Sequence, residues 1–344
     1  MRAVLFCNLP YAFGILKPLE VELLARGFEA LWFVPLEILG HFPYKDVPHT
    51  SDIKVLKAFK SDAIFVPGNE VPWYLRGVKV QIFHGFAGEK KGHFRIRDYF
   101  DLYLTQGPYF TKRFEALLQQ YQNFEVVQTG WCKLDTLFAR ATRLQEDKKR
   151  FLAQCGATKL LLFAPTFSPS LTSAIVLKEE ILKLSYDKNL LVHVKFHDKM
   201  DTEIVTAYKA MAHEKLHIVK AADIGDSLIY SDLMISDTSS VVYEFIQLNK
   251  PVVTLNSISP NINWANAKSI SEVDAYVYET LFKEDRFQNS RADVIAMYHP
   301  YCDGKSAARM IDATQAFIQR HGVPLKRKLS WLRKYKILKI YGLA

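Results

Sequence analysis

Three stretches of the 344-residue chain combine side chains able to hold a phosphate or move a proton. The first runs from 228 to 255. Leu233, Met234 and Ile235 form a short apolar run expected of a buried strand, and Ser236, Asp237, Thr238, Ser239 and Ser240 follow at once. Val241, Val242, Phe245, Ile246 and Leu248 then recur at helical spacing, Asn249 is a fitting helix stop, and Pro251 begins the next apolar run. The order is strand, hydroxyl-rich turn, helix, strand. It puts Thr238, Ser239 and Ser240 beside first-turn amides that carry a partial positive charge, a place for a phosphate at the carboxyl end of a strand. Serine and threonine at a helix start also serve simply as N-caps.

The second stretch follows the apolar run Val80–Phe83. His84 comes next, then Gly85 and a loop that carries Lys90 and Lys91. A neutral imidazole at a strand's carboxyl end can take a proton from an attacking hydroxyl near neutral pH. The competing reading is a loop histidine that only bonds backbone. In the third stretch His193, Lys195 and His197 alternate, which puts them on one face of a strand with Val192, Val194 and Phe196 on the other. Lys195 and His197 lie nearest the carboxyl end, where cations would stabilise charge on a leaving phosphate. Thr166, in Ala164-Pro165-Thr166, ends another expected strand and is a further phosphate donor or merely part of a turn. No carboxylate completes a metal-ligand set around these histidines. The glycine-rich dinucleotide and P-loop patterns are both missing from the sequence.

The elements that must position these groups alternate. Strands are expected at Ala3–Cys7, Ala30–Val34, Ala63–Val66, Val78–Phe83, Leu102–Thr105 and Glu125–Gln128. A second series follows at Lys159–Ala164, Leu190–Val194, His217–Val219, Leu233–Ile235 and Val252–Leu255. Helical patterns fall between them, so the fold class is α/β, with two Rossmann-like doubly wound domains facing a cleft. Expected boundaries are 1–150 for an acceptor-side domain, 151–322 for a nucleotide-donor domain and 323–344 for a basic amphipathic tail. Four scattered cysteines without a Cys-x-x-Cys pair suit a reducing cytoplasm rather than a structural zinc site. Neither a secretory signal nor a membrane span is expected.

The net charge is +9, yet from Arg320 onward there are eight Lys or Arg and no acidic residue. Basicity therefore belongs mainly to the tail, which argues against a broad nucleic-acid surface. Within 325–341, Leu325, Leu329 and Leu332 would share one helical stripe and Trp331, Tyr335 and Leu338 a neighbouring one. With lysine and arginine filling the rest, this is the composition of a helix lying on an anionic membrane. The competing arrangement is a terminal helix packed back on the protein.

Taken together, HGFAGEKKG at His84, TGWCKLD at Thr129, FAPTF at Phe163, VKFH at Val194, SDLMISDTSSVVYEF at Ser231, NKPVV at Asn249 and DGKSAARMID at Asp303 resemble the CDP-glycerol glycerophosphotransferase family of teichoic-acid and capsule polymer enzymes. The resemblance implies a GT-B-like fold and transfer of an alditol phosphate from a CDP donor to a lipid-linked or polymeric acceptor at the inner membrane face, with release of CMP and no obligatory metal or cofactor. It implies that His84 is the base and that His197, with Lys195, stands near the diphosphate. Thr166, Asp237, Thr238, Ser239 and Ser240 would hold phosphate or nucleotide, Glu244 ribose hydroxyls, and Gly85, Lys90 and Lys91 would belong to the acceptor loop. The sequence departs from the family pattern after His84-Gly85, where Phe86-Ala87-Gly88 replaces Thr-Pro-Leu, and after His197, where Asp198 replaces proline. The transferred group therefore stays open between glycerol phosphate, ribitol phosphate and a sugar. The rivals are a nucleotide-sugar glycosyltransferase, a relative of UDP-N-acetylglucosamine 2-epimerase, and a non-catalytic nucleotide-binding membrane protein.

Overall fold

The computed structural model describes residues 1–86, 92–220, 224–325, 327 and 329–342, apart from the side chain of Gln145. Two compact units emerge: Met1–Thr136 with Tyr298–Ala344, and Leu137–Met297. In the first, strands β1 (Arg2–Phe6), β2 (Glu29–Phe33), β3 (His49–Thr50), β4 (Ala63–Val66), β5 (Val78–Gln81), β6 (Leu102–Thr105) and β7 (Glu125–Gln128) form one parallel sheet. Its order is β3-β2-β1-β4-β5-β6-β7. Ala3, Val4, Leu5 and Phe6 are all fully buried, because a parallel sheet is covered on both faces. The order reverses between β1 and β4, and the crevice outside the carboxyl ends of such a pair is where open α/β sheets take ligands.

The second unit repeats the plan. Strands β8 (Lys159–Phe163), β9 (Leu190–Val194), β10 (Leu216–Ile218), β11 (Leu233–Ser236), β12 (Val252–Leu255) and β13 (Ala265–Ala267) pair in the order β10-β9-β8-β11-β12-β13, again all parallel. Here the reversal falls between β8 and β11. One core, including Leu161, Phe163, Val192, Ile235 and Val253, fills this unit, and a separate one, including Val4, Phe6, Ile64, Val66 and Phe114, fills the first. The α/β class with two parallel sheets is the one the sequence implies.

The chain divides differently from the expected boundaries at 150 and 322. The segment from 298 onward returns to the first unit. Asp135, in that unit, accepts hydrogen bonds from Ser306 N at 3.0 Å and Ala307 N at 2.7 Å, so its carboxylate caps the helix Ser306–His321. Arg309 from that helix donates to Thr129 O at 2.7 Å, and Gln128 donates to the Tyr301 hydroxyl at 3.0 Å.

The tail, too, joins the first unit. Its helix begins only at Trp331 and runs to Tyr341, so Leu325 and Leu329 precede it and the expected Leu325-Leu329-Leu332 stripe does not form. Leu325 is 85% exposed, whereas Ile337 is fully buried, with Leu329 and Tyr341 packed against the same core. The acidic partners missing from the tail's own sequence come from elsewhere in the unit. Arg327 donates to Asp101 at 3.0 Å with both side chains nearly buried, Arg333 pairs with Asp98 at 3.0 Å, and Lys336 pairs with Glu70.

Candidate functional site

Each unit carries part of the candidate chemistry at the carboxyl edge of its own sheet. In the first, β5 leads through Ile82 to Phe83, whose φ of 60° is the left-handed region, costly for a bulky residue. Its surroundings hold it there. The Phe83 ring stacks on His93 at 5.2 Å and packs on Phe114 at 5.2 Å, and Trp131 Nε1 donates to its carbonyl at 3.4 Å. The turn leaves His84 exposed at the rim.

His84 Nδ1 lies 3.3 Å from Pro67 O, at the end of β4. A carbonyl only accepts, so Nδ1 is the donor in this bond, and in the neutral ring the lone pair is then on Nε2. That is the tautomer a general base needs. Tyr11 packs beside the ring at 5.4 Å. Gln106 Nε2 donates to Gly85 O at 3.0 Å, and Phe86 is fully buried with its ring against Trp131 at 5.2 Å. Among the described residues, a Cβ on Gly85 would meet nothing within 4 Å. Lys90 and Lys91 lie outside the described residues.

Sequence reasoning missed the residues that support this turn, namely Gln106, Trp131 and His299. His299 is fully buried, and its Nε2 accepts from Trp131 N at 2.8 Å while its ring meets Phe86 at 6.1 Å. Burial pushes its pKa down to about 4 from the usual 6.5, so the ring is neutral, as accepting that bond requires. The folded-state value lies below the unfolded one. The stability this group contributes is therefore fully present above about pH 6.5 and is lost as pH falls toward 4, by about 3 kcal/mol. Melting temperatures recorded between those limits should drop steeply for the natural chain and less steeply for His299→Gln. Equal slopes would show that His299 does not carry the acid sensitivity.

In the second unit the reversal between β8 and β11 brings Thr166 and Asp237 together. The buried Asp237 carboxylate accepts from Thr166 N at 2.9 and 3.2 Å, from Ser173 N at 2.9 Å and from Ser173 Oγ at 2.8 Å. Burial raises its pKa while these donors oppose the rise. Ser236 Oγ also donates to Ala164 O at 2.7 Å. Asp237 thus shapes the loop from 164 to 173. Thr238 Oγ1 likewise accepts from Ile258 N at 3.1 Å, while Ser239 and Ser240 are half-buried at the start of the short helix Val241–Ile246. Glu244 is buried within that helix.

Strand β9 ends at Val194, so the alternation of histidines does not carry through to His197 as one strand face. His193 packs against His217 at 5.5 Å and Phe151 at 6.0 Å, and burial lowers its pKa to about 4. Lys195 Nζ donates to Phe196 O at 2.7 Å. His197 is exposed, with Phe167 packed on its ring at 4.4 Å, and its Nδ1 accepts from Lys199 N at 3.1 Å. That bond is the reverse of the one at His84. It leaves the lone pair on Nδ1 engaged and puts the proton of the neutral ring on Nε2, which becomes a donor. Lys195 and His197 follow β9, the neighbour of β8, and His197 is linked through Phe167 to the loop that carries Thr166.

Residues 78–257, just over half of the chain, match the model of the family described as CDP-Glycerol:Poly(glycerophosphate) glycerophosphotransferase. The matched span contains every residue singled out from the sequence as a site candidate. The teichoic acid ribitol-phosphate polymerase TarL of Staphylococcus aureus is 25% identical over 268 residues, covering 70% of this chain and 46% of that protein. The chain spans about half the length of the curated relatives it matches. Among solved structures, the wall teichoic acid polymerase TagF superposes with a TM-score of 0.67 at 13% identity, over 93% of this chain and 89% of that one. A UDP-N-acetylglucosamine 2-epimerase homologue from Listeria monocytogenes superposes with a TM-score of 0.69 at 16% identity, over 93% and 97%. At these identities the two structures share the fold.

Proposed function

Because the chain belongs to the CDP-glycerol:poly(glycerophosphate) glycerophosphotransferase family, we propose that it transfers an alditol phosphate, glycerol or ribitol phosphate, from a CDP-linked donor to a hydroxyl of a polymeric or lipid-linked acceptor. The observation that carries this reading is the opposite pair of contacts at Nδ1 of the two exposed histidines, a backbone carbonyl at His84 and a backbone N–H at His197. His84, with its lone pair on Nε2, takes the proton of the acceptor hydroxyl. The acceptor oxygen attacks the phosphorus that bears the alditol, the bond to the bridging oxygen breaks, and CMP leaves with the electron pair. His197, with its proton on Nε2, donates a hydrogen bond to the donor's diphosphate as charge builds there. Ser239, Ser240 and Thr166 supply neutral donors to the same phosphates, Lys195 adds a positive charge and Glu244 takes the ribose hydroxyls. Asp237 holds the loop on which Thr166 stands.

A thermal-shift series with CMP, CDP, CDP-glycerol and CDP-ribitol against UMP, UDP and UDP-sugars tests the donor. A ligand at 100 times its Kd stabilises the folded state by about 2.7 kcal/mol. Cytidine ligands should raise the melting temperature and uridine ligands should not. A response to uridine ligands alone would keep the fold and transfer the chemistry to nucleotide sugars.

The same proposal places the protein at the inner face of the cell membrane. No described helix is long and apolar enough to cross a membrane. The helix Trp331–Tyr341 turns Ile337 and Tyr341 toward the protein, but Trp331, Leu332 and Tyr335 are each more than 60% exposed among lysines. An aromatic and basic outer face suits an anionic lipid surface. Trp331→Ala with Leu332→Ala should weaken binding to phosphatidylglycerol vesicles about tenfold and leave the melting temperature unchanged, since both side chains already face solvent. Unaltered vesicle binding would remove the membrane role of this face.

A further inference from the structure

The inner face of the same helix ends at the first unit's own topological reversal. Asn8 follows β1, and Pro67, Gly68 and Glu70 follow β4, so these residues line the carboxyl ends of the two strands between which the order reverses. Asn8 Nδ2 donates to the Tyr341 hydroxyl at 2.9 Å and to Glu70 O at 3.2 Å. Gly68 lies against the same asparagine, since a Cβ there would stand 3.4 Å from Asn8 Nδ2. Pro67, the residue before it, supplies the carbonyl that fixes the His84 tautomer. Tyr341 is itself seated by its ring, 5.6 Å from Phe6 and 6.3 Å from Phe33 at the ends of β1 and β2. The Tyr74 hydroxyl donates to Gly342 O at 2.7 Å, and Lys336 pairs with Glu70 from the previous turn. A continuous path therefore runs from Tyr341 through Asn8 and the 67–70 turn to His84.

We propose that Tyr341 and Asn8 are positioning residues for His84, so that the C-terminal helix is a structural part of the acceptor side as well as a surface for lipid. The proposal rests on the alditol-phosphate reading for its kinetic consequence but not for its geometry. Pro67 O can orient His84 only while the 67–70 turn is held, and Asn8, which bonds that turn, is itself tethered by a residue 333 positions away from it in the chain. Small displacements of a reacting group cost large factors in rate.

The test uses the full chain and two readouts. Tyr341→Phe keeps the ring in its apolar seat and removes the hydroxyl that accepts from Asn8, and Asn8→Ser breaks the same link from the other side. With CDP-glycerol or CDP-ribitol and a short-chain, water-soluble glycerol-phosphate acceptor in the absence of membranes, each variant should lose about tenfold in kcat. The donor KM should stay unchanged. In 15N-histidine-labelled protein, the His84 ring should show the Nδ1–H tautomer in the natural chain and a mixture in the variants. A His84 spectrum and a kcat both identical to the natural chain's in the two folded variants would overturn the proposal. If the natural chain transfers nothing from either donor while the His84 signals still respond to Tyr341→Phe, the alditol-phosphate reading fails and the positioning role stands. A variant that loses turnover only on vesicles, and keeps it on the soluble acceptor, also overturns the proposal and leaves the helix a membrane element alone.

Discussion

His84→Ala is expected to lower the rate of transfer from a CDP-alditol by about 100-fold or more, the usual cost of removing a general base. The imidazole is exposed at the end of β5, and its Nδ1 is bound to Pro67 O at 3.3 Å, so the basic nitrogen is Nε2 in every molecule that keeps this bond. Alanine removes that nitrogen without opening a core, because the side chain is not buried. The donor-binding candidates Thr166, Lys195, His197 and Ser239–Ser240 all belong to the second unit. The melting-temperature rise produced by a cytidine ligand should therefore survive in His84→Ala while turnover collapses. Full turnover in a folded His84→Ala protein would reject the base assignment outright. Loss of both ligand response and turnover would show that the histidine binds donor instead.

Gly107→Ala should destabilise the first unit by about 4 kcal/mol, a drop of about 10 °C or more in its melting temperature. Gly107 precedes the helix Pro108–Leu117, and its φ of −171° is an extended conformation open to any residue. The constraint is space. A Cβ at this position would sit 2.4 Å from Tyr298 O, 2.6 Å from Tyr298 C and 3.0 Å from His299 N. These are backbone atoms and cannot rotate aside. Tyr298 is further fixed by stacking on Tyr109 at 4.8 Å, and His299 by the bond from Trp131. To fit the methyl group the returning segment from 298 must move, which breaks the support of the His84 turn as well. A melting temperature equal to that of the natural chain would show that the two backbones do not approach so closely.

These two positions differ in how they could be found. His84 is legible because a histidine directly after an apolar strand and before glycine is a local pattern, and the strand periodicity shows which end of the sheet it occupies. Gly107 carries no such mark. Its role comes from Tyr298, far along the chain, and no spacing rule connects them. The hydroxyl turn shows an intermediate case. Asp237 through Ser240 were located at a strand's carboxyl end from the apolar run before them, yet the bonding of Asp237 to Thr166 N, Ser173 N and Ser173 Oγ depends on β8 and β11 being neighbours. Local order suggested a ligand for the donor, whereas the packed sheet turns that carboxylate toward its own loop. The short strands His49–Thr50 and Ala265–Ala267 also escaped notice, since two or three residues are too few to display a period.

The tail separates the two kinds of information most clearly. Its basic composition and aromatic residues are sequence facts, and they imply an amphipathic helix on an anionic membrane, whereas the helix observed spans only Trp331–Tyr341 and packs one face on the first unit. What they did not contain was the acidic set that receives the cations. Asp98, Asp101 and Glu70 sit well upstream, and the Asp101–Arg327 bond joins residues 226 positions apart. By itself the amino-acid order determined the α/β class, the two series of strands and the family, because apolar periodicity and short motifs are properties of neighbouring residues. The tertiary structure alone decided that residues from 298 onward complete the first unit and which carboxylate serves the loop from 164 to 173. Each of those outcomes is a contact between distant segments, made when burial leaves a polar atom needing a partner that only the folded chain brings within reach.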